Sequence, residues 1–342
     1  MPAEWEGHDA TWICWPQNGE DWPGKLNTVQ WVFAEMVKKL TLGETVRIIV
    51  GSVDKSKSVR RILAKSRVDL TRVEFFIIPT DRGWTRDMGP IFIKNAAGEK
   101  AIVNFKFNAW AKYPNWRLDN KVAGIVARKL KTPIVEAVVN GAPFTLEGGA
   151  IDVNGKGTLI TTVECLLDDK VQTRNPGLGR KETEQALAGY LGAKNVIWLN
   201  KGIAGDDTHG HVDDLCRFVN ANTVVLCAED NPAEDNYRPL NENREILQGA
   251  RLEDGSKPEV VLLPMPAPLV FDGLRLPASY ANFYIGDAVV IVPTFNDVKD
   301  RVALGILSEL FPGRQVIGIH AVDLVWGLGT LHCLTQQEPK GI

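Results

Sequence analysis

Four short polar clusters interrupt otherwise apolar, strand-like sequence, and each carries a side chain able to do chemistry. They are Arg86 with Asp87; Glu147 with Gly148 and Gly149; His211, Val212, Asp213 and Asp214; and the glycine-containing stretch 327–333, which ends on His332 and Cys333. A cysteine thiolate beside a histidine is a nucleophile with a proton shuttle. Carboxylates beside a thiolate repel it and raise its pKa, so a site gathering Cys333, His211, Asp87, Glu147 and Asp213 needs a compensating cation. A substrate guanidinium supplies one, because its planar fork of donors matches paired carboxylates and its charge is fixed at ordinary pH. The set therefore suits attack on a guanidinium carbon. A competing chemistry starts from His209 and His211, whose spacing is found in zinc hydrolases. The further ligands of a metal-dependent amidohydrolase cannot be named from spacing here.

Such distant residues meet only if the chain brings its segments round a common axis, and it carries a repeat able to do that. Residues 90–105, 148–162, 212–227 and 281–293 each place apolar and β-branched residues on both sides of a short turn, as hairpin strands do. Their turn centres, 96, 155, 221 and 287, recur at intervals of roughly 60 residues. Helix-like segments at 29–40, 119–130, 181–191, 241–248 and 297–311 lie between them. Val122, Ile125, Val126 and Leu130 recur at helical spacing, and Val298, Val302, Ile306 and Leu310 form one row, so each segment is expected to cover an apolar face. Further strands are expected at 45–50, 73–78, 195–199 and 315–319. Each unit then reads strand, strand, helix, strand. A fifth hairpin is missing from the linear order, but 11–15 and the segment around Cys333 could pair the termini. The pattern predicts an α/β fold, a five-bladed αβ-propeller of ββαβ repeats, as one catalytic domain over 1–342.

Composition narrows the functional classes. The 342 residues carry 39 Lys and Arg against 42 Asp and Glu, a formal charge of −3, with no long block of either sign. No nucleic acid and no membrane surface is therefore expected as a partner. No apolar run approaches the roughly 18 residues of a membrane span, and no basic-then-apolar leader is seen at the start. Five cysteines at 14, 165, 216, 227 and 333 give no close pairing, which together with the missing leader predicts a cytoplasmic protein with reduced thiols. Cys14, Cys165, Cys216 and Cys227 lie in apolar contexts and read as core thiols; Cys333 alone sits among glycines and polar residues. The early tryptophans, 5, 12, 15 and 22, read as core or interface aromatics.

The ordered motifs Arg86, Asp87, Met88, Gly89, Pro90; Leu146, Glu147, Gly148, Gly149; His209, Gly210, His211, Val212, Asp213, Asp214; and Leu331, His332, Cys333, Leu334, Thr335, Gln336, Gln337 resemble the agmatine deiminases and the related bacterial-type (Porphyromonas-type) peptidylarginine deiminases. The opening residues 1–6 and the run Phe107, Asn108, Ala109, Trp110 are similar to the same family, so the resemblance spans the whole chain. It implies the five-bladed pentein fold of guanidino-group-modifying enzymes. It also implies Cys333 as nucleophile, His211 as general acid and then base, Glu147 as the partner that orients His211, and Asp87 and Asp213 as the grip on the guanidinium. Trp84 and Trp110 are expected to line the aliphatic chain. No metal and no organic cofactor is implied. The expected reaction converts agmatine to N-carbamoylputrescine and ammonia through a covalent thiouronium, with peptidylarginine or another guanidine as the alternative substrate. Asp206 and Asp207 would suit an ammonium tail. Met88, His209 and Leu328 depart from the family pattern and leave the substrate open. From a different class, a guanidine-binding protein without catalysis is kept alongside the metal amidohydrolase; oligomeric state is left open, a homo-oligomer being compatible.

Overall fold

The computed structural model describes residues 1–341. Five separate β-sheets repeat one plan: an antiparallel hairpin, a helix, and a third strand parallel to the hairpin's second strand, which lies in the middle. Ile91–Lys94, Lys100–Asn104 and Ile134–Glu136 form one; Asp152–Val153, Thr158–Thr162 and Asn195–Leu199 the next. Cys216–Phe218, Thr223–Ala228 and Glu259–Pro264 follow, then Tyr284–Ile285, Val289–Thr294 and Gln315–His320.

The fifth sheet joins the two ends of the chain. His8–Cys14 pairs antiparallel with Thr335–Pro339, with Thr11 opposite Gln337 and Ile13 opposite Thr335, so the pairing of termini expected from 11–15 and the Cys333 segment is present. Thr45–Val50 and Val73–Ile77 extend that sheet in parallel. No sheet closes on itself among the described residues.

Asparagine chemistry makes three of the hairpin turns. Asn95 Oδ1 accepts from Glu99 N, Asn154 Oδ1 from the amides of Lys156, Gly157 and Thr158, and Asn220 Oδ1 from those of Asn222 and Thr223. Each side chain replaces backbone partners that a tight turn leaves unmatched. The five expected helices appear as Leu26–Leu40, Val122–Leu130, Arg180–Leu191, Tyr237–Gly249 and Asp300–Leu310.

Some details differ from the sequence reading. The row Val298, Val302, Ile306 and Leu310 is not the buried face: Val298 precedes the helix and is 89% exposed, Val302 is 51% exposed, and Ala303 and Leu307 face the core. A helix at Val53–Lys65 has no counterpart in the expected set. It buries only Val59 and Leu63, too thin an apolar stripe to stand out, and Ser52 caps it by accepting from Lys55 N. Trp12, Trp15 and Trp22 are fully buried, as expected of core aromatics. No helix among the described residues is long and apolar enough to cross a membrane.

Candidate active site

The residues that open the sheets converge. A four-residue helix, Thr85–Met88, carries Asp87; a single helical turn, Gly148–Ala150, follows Glu147; another, Val212–Asp214, follows His211 and carries Asp213. Cys333 lies just before the last strand, and Asn282 just before Tyr284–Ile285. Their side chains are all buried.

Asp87 Oδ2 accepts from Trp110 Nε1 at 2.9 Å, and its Oδ1 accepts from Gly149 N at 3.1 Å. His211 lies between two carboxylates, with Nδ1 3.8 Å from Asp87 Oδ1 and Nε2 3.7 Å from Glu147 Oε2. Glu147 is held in turn by Arg174 Nε at 3.2 and 3.3 Å. Asn282 donates to Cys333 Sγ at 3.1 Å and to Asp214 Oδ1 at 2.9 Å, while its own oxygen accepts from Thr330 Oγ1 and His332 N. Cys333 Sγ is 3.7 Å from Asp213 Oδ2, which pairs with His332 Nδ1 at 2.6 Å. Asp213 Oδ1 and both ring nitrogens of His211 are buried without a hydrogen-bond partner.

Backbone geometry builds this arrangement. At Gly149 a Cβ would stand 2.6 Å from His211 Nδ1 and 2.9 Å from Asp87 Oδ1, so only glycine admits the imidazole and carboxylate together. Ala109, Trp110 and Ala111 all have positive φ, 50°, 57° and 53°, a conformation that costs non-glycine residues energy and persists where surroundings enforce it. Asn108 Oδ1 accepts from Ala111 N within that turn, and the result points the Trp110 indole at Asp87.

Burial and clustered carboxylates set the electrostatics of the site. Burial pushes the Cys333 thiol well above its ordinary value, and Asp213, Asp214 and Asp87 push the same way. Burial lifts Asp87 to about 6, with His211 opposing and Asp213 and Glu147 reinforcing. Burial alone would depress His211, but Asp87 first, then Cys165 and Glu147, hold it well above the usual imidazole range. For Glu147 burial works against ionisation, and Arg174 and His211 outweigh it. Asp213 likewise stays low against its burial through His332, whereas burial and its neighbour Asp213 drive Asp214 well up.

A cavity of about 590 Å³ opens onto the cluster. Asp87 and Cys333 lie in its wall; Trp84 and Trp110 flank the approach, and Glu20, Asp21, Asp207 and Arg82 line it. Burial raises Asp21 to about 7 despite its Arg82 partner.

The structure thus brings together Cys333, His211, Glu147, Asp87, Asp213, Trp84 and Trp110. It does not bring His209 in: that ring turns to Asp168, with Nε2 2.8 Å from Oδ2, so the His209 and His211 pairing of the zinc-hydrolase reading is absent. Asp206 does not face an ammonium tail either, because its Oδ2 accepts from Gly210 N and His211 N and buttresses the histidine turn. Asp207 does line the cavity, but it is already engaged by Lys112 and Tyr113. Sequence reasoning missed Arg174, Asn282 and His332. Asn282 was within reach, since it opens the fourth hairpin as Asp87, Glu147 and Asp213 open the others. Arg174 lies in a connection with no repeat signal. Cys165 is buried, but beside His211 and Glu147 rather than only among apolar side chains.

Comparison with known proteins gives a consistent set of similarities. The family model described as Porphyromonas-type peptidyl-arginine deiminase matches residues 1–339. A putative agmatine deiminase of Legionella pneumophila (strain Paris) is 37% identical over 344 residues, covering 99% of this chain and 95% of that protein. The agmatine deiminase of Pseudomonas aeruginosa (strain LESB58) is 34% identical over 362 residues, covering 99% and 95%. Among solved structures, an agmatine deiminase of Enterococcus faecalis superposes with a TM-score of 0.91 at 30% identity, covering 100% of this chain and 96% of that one.

Proposed function

The chain belongs to the Porphyromonas-type peptidyl-arginine deiminase family, and on that premise we propose that it is a cysteine-dependent guanidine deiminase that hydrolyses agmatine to N-carbamoylputrescine and ammonia. The observation that carries the reading is the unbalanced charge at the buried thiol: Asp213 Oδ1 has no donor, and Cys333 is held protonated by burial and then by its carboxylate neighbours. A guanidinium answers both. Its N–H groups pair with Asp213 and with the remaining lone pairs of Asp87, and its charge offsets the carboxylates so that the Cys333 proton is lost to solvent.

The thiolate then adds to the guanidinium carbon. His211, an imidazolium in this setting, protonates one amino group; the C–N bond breaks, ammonia leaves, and a thiouronium remains on Cys333. Neutral His211 next takes a proton from water as the hydroxide oxygen adds to the same carbon. Collapse breaks the C–S bond, returns the thiolate and, with loss of the hydroxyl proton, leaves the ureido product. Glu147, anchored by Arg174, orients and stabilises the imidazolium; Asn282 donates to the sulfur and steadies its negative charge. In this reading the five sheets stand as blades of one propeller, which accounts for how residues opening separate sheets reach a common centre.

The Glu20 carboxylate and the flanking Trp84 and Trp110 of the cavity suit an aliphatic chain ending in an ammonium. Purified protein offered agmatine, arginine and a peptidylarginine tests the substrate: ammonia and carbamoylputrescine from agmatine, at a kcat/KM well above the other two, is the expected result. Preference for the peptide would transfer the activity to the other branch of the family.

A further inference from the structure

Cys165 is a buried thiol that the reaction does not use, and its surroundings are not those of a core residue. It lies on the short helix Val163–Leu167, whose cap, Thr162, accepts from Cys165 N at 3.0 Å. A Glu147 carboxylate oxygen, the Cys165 sulfur and a His211 ring nitrogen all lie within 4.8 Å of one another, and all three side chains are buried. Both His211 nitrogens lack a hydrogen-bond partner. One thiolate, one imidazole and one carboxylate form a donor set that Zn²⁺ accepts, leaving a fourth position for water, and the thiolate favours Zn²⁺ over Mg²⁺ or Ca²⁺.

We propose that Glu147, Cys165 and His211 form an inhibitory site for a thiophilic divalent cation, Zn²⁺ above all, which removes the His211 nitrogen from proton transfer. Coordination requires the thiolate and the neutral imidazole, so the Cys165 thiol proton and the His211 imidazolium proton are both released to solvent when the metal enters. Arg174 holds Glu147 from the other side, but a carboxylate keeps lone pairs for a second partner. None of the three lines the cavity, but Asp87, which does, stands 3.8 Å from His211 Nδ1. A rival cluster, Asp213, Asp214 and Cys333, has comparable spacing. There Cys333 Sγ and Asp214 are engaged by the Asn282 amide and Asp213 Oδ2 by His332, leaving Asp213 Oδ1 free, whereas both His211 nitrogens are free.

The inhibitory consequence rests on the deiminase reading; the binding does not, and the experiment separates them. Metal-free protein is titrated with Co²⁺, whose bond to a thiolate gives a near-ultraviolet charge-transfer band, and with Zn²⁺ by calorimetry and by ammonia-release assay. Wild type and Cys333→Ser are expected to bind one equivalent with the band. Cys165→Ala is expected to lose the band and to bind Zn²⁺ more than about 100-fold more weakly, beyond the ~10–100-fold that loss of an outer-shell partner costs. Cys165→Ser keeps the volume of the site and serves if the alanine variant does not fold. A band retained in both Cys165 variants, or lost in Cys333→Ser, assigns the metal to the rival cluster and overturns the proposal, as does wild type that binds no Zn²⁺ at micromolar concentration. Cys165-dependent binding in a protein that releases no ammonia from any guanidine would uphold the metal site and refute the deiminase instead.

Discussion

In the proposed reaction both halves of the chemistry depend on His211, whose charge comes from neighbours rather than from exposure. Asp87 and Glu147 stand 3.8 and 3.7 Å from its two nitrogens. His211→Asn or Glu147→Gln should slow ammonia release by roughly 100-fold or more, the scale of a positioned acid and base; steady-state assays on folded variants check this. The pH dependence has a definite sign. Asp87, lifted by burial to about 6, gains a proton as pH falls and loses the charge that pairs with the guanidinium. The kcat/KM profile, which reports the free enzyme, should therefore fall below about pH 6, and that limb should vanish in Asp87→Asn, whose kcat/KM is low throughout. Arg174→Met leaves Glu147 buried without its cation, a change expected to cost about 3–5 kcal/mol, measurable by urea unfolding.

Short turns, more than long helices, place these groups, and glycine is what lets them approach. Gly149→Ala inserts a methyl 2.6 Å from His211 Nδ1; the expected result is loss of most turnover with an unchanged circular dichroism spectrum, and wild-type kcat would show that the His211 and Asp87 pair tolerates displacement. The same scale explains what was legible in the sequence. The hairpins were visible because asparagine and glycine turns interrupt alternating apolar strands, and the repeat they form put Asp87, Glu147, His211 and Asp213 at equivalent openings. Ile134–Glu136 was not visible, being a three-residue exposed edge, nor was Glu259–Pro264, which merges with a proline-broken apolar run. The Val298 to Leu310 row misled because its spacing is helical but its first residue precedes the helix. Burial there follows Ala303 and Leu307, a pair whose first member is too small to stand out in a search for large apolar side chains. The left-handed turn through Trp110 has no local signal beyond Asn108, so its role in aiming the indole at Asp87 emerges only from the folded backbone.

At the scale of the molecule, the two ends of the chain are tied together beside the thiol. Glu4 accepts from Arg86 and Arg217 at 3.0 and 2.9 Å and pairs with His332 at 2.8 Å, and His332 in turn holds Asp213. Arg86 N donates to Cys333 O at 3.1 Å. Glu4 in the opening segment thus braces the loop that carries His332 and Cys333, although nothing local in the sequence links the two. Glu4→Ala leaves buried Arg86 without its carboxylate and Arg217 with Asp152 alone and should destabilise the protein by about 3–5 kcal/mol, with a larger loss of kcat than a remote surface change produces; a variant as stable as wild type in denaturant unfolding would show that the termini are joined by strand pairing alone. The central claim is that Cys333 carries the substrate's carbon as a covalent intermediate. Acid quenching of the protein during agmatine turnover, followed by peptide mass spectrometry, tests it most directly. The account predicts an amidine adduct on the Cys333 peptide that is absent from Cys333→Ser, together with no turnover by that variant; ammonia release by Cys333→Ser at a wild-type rate would contradict it.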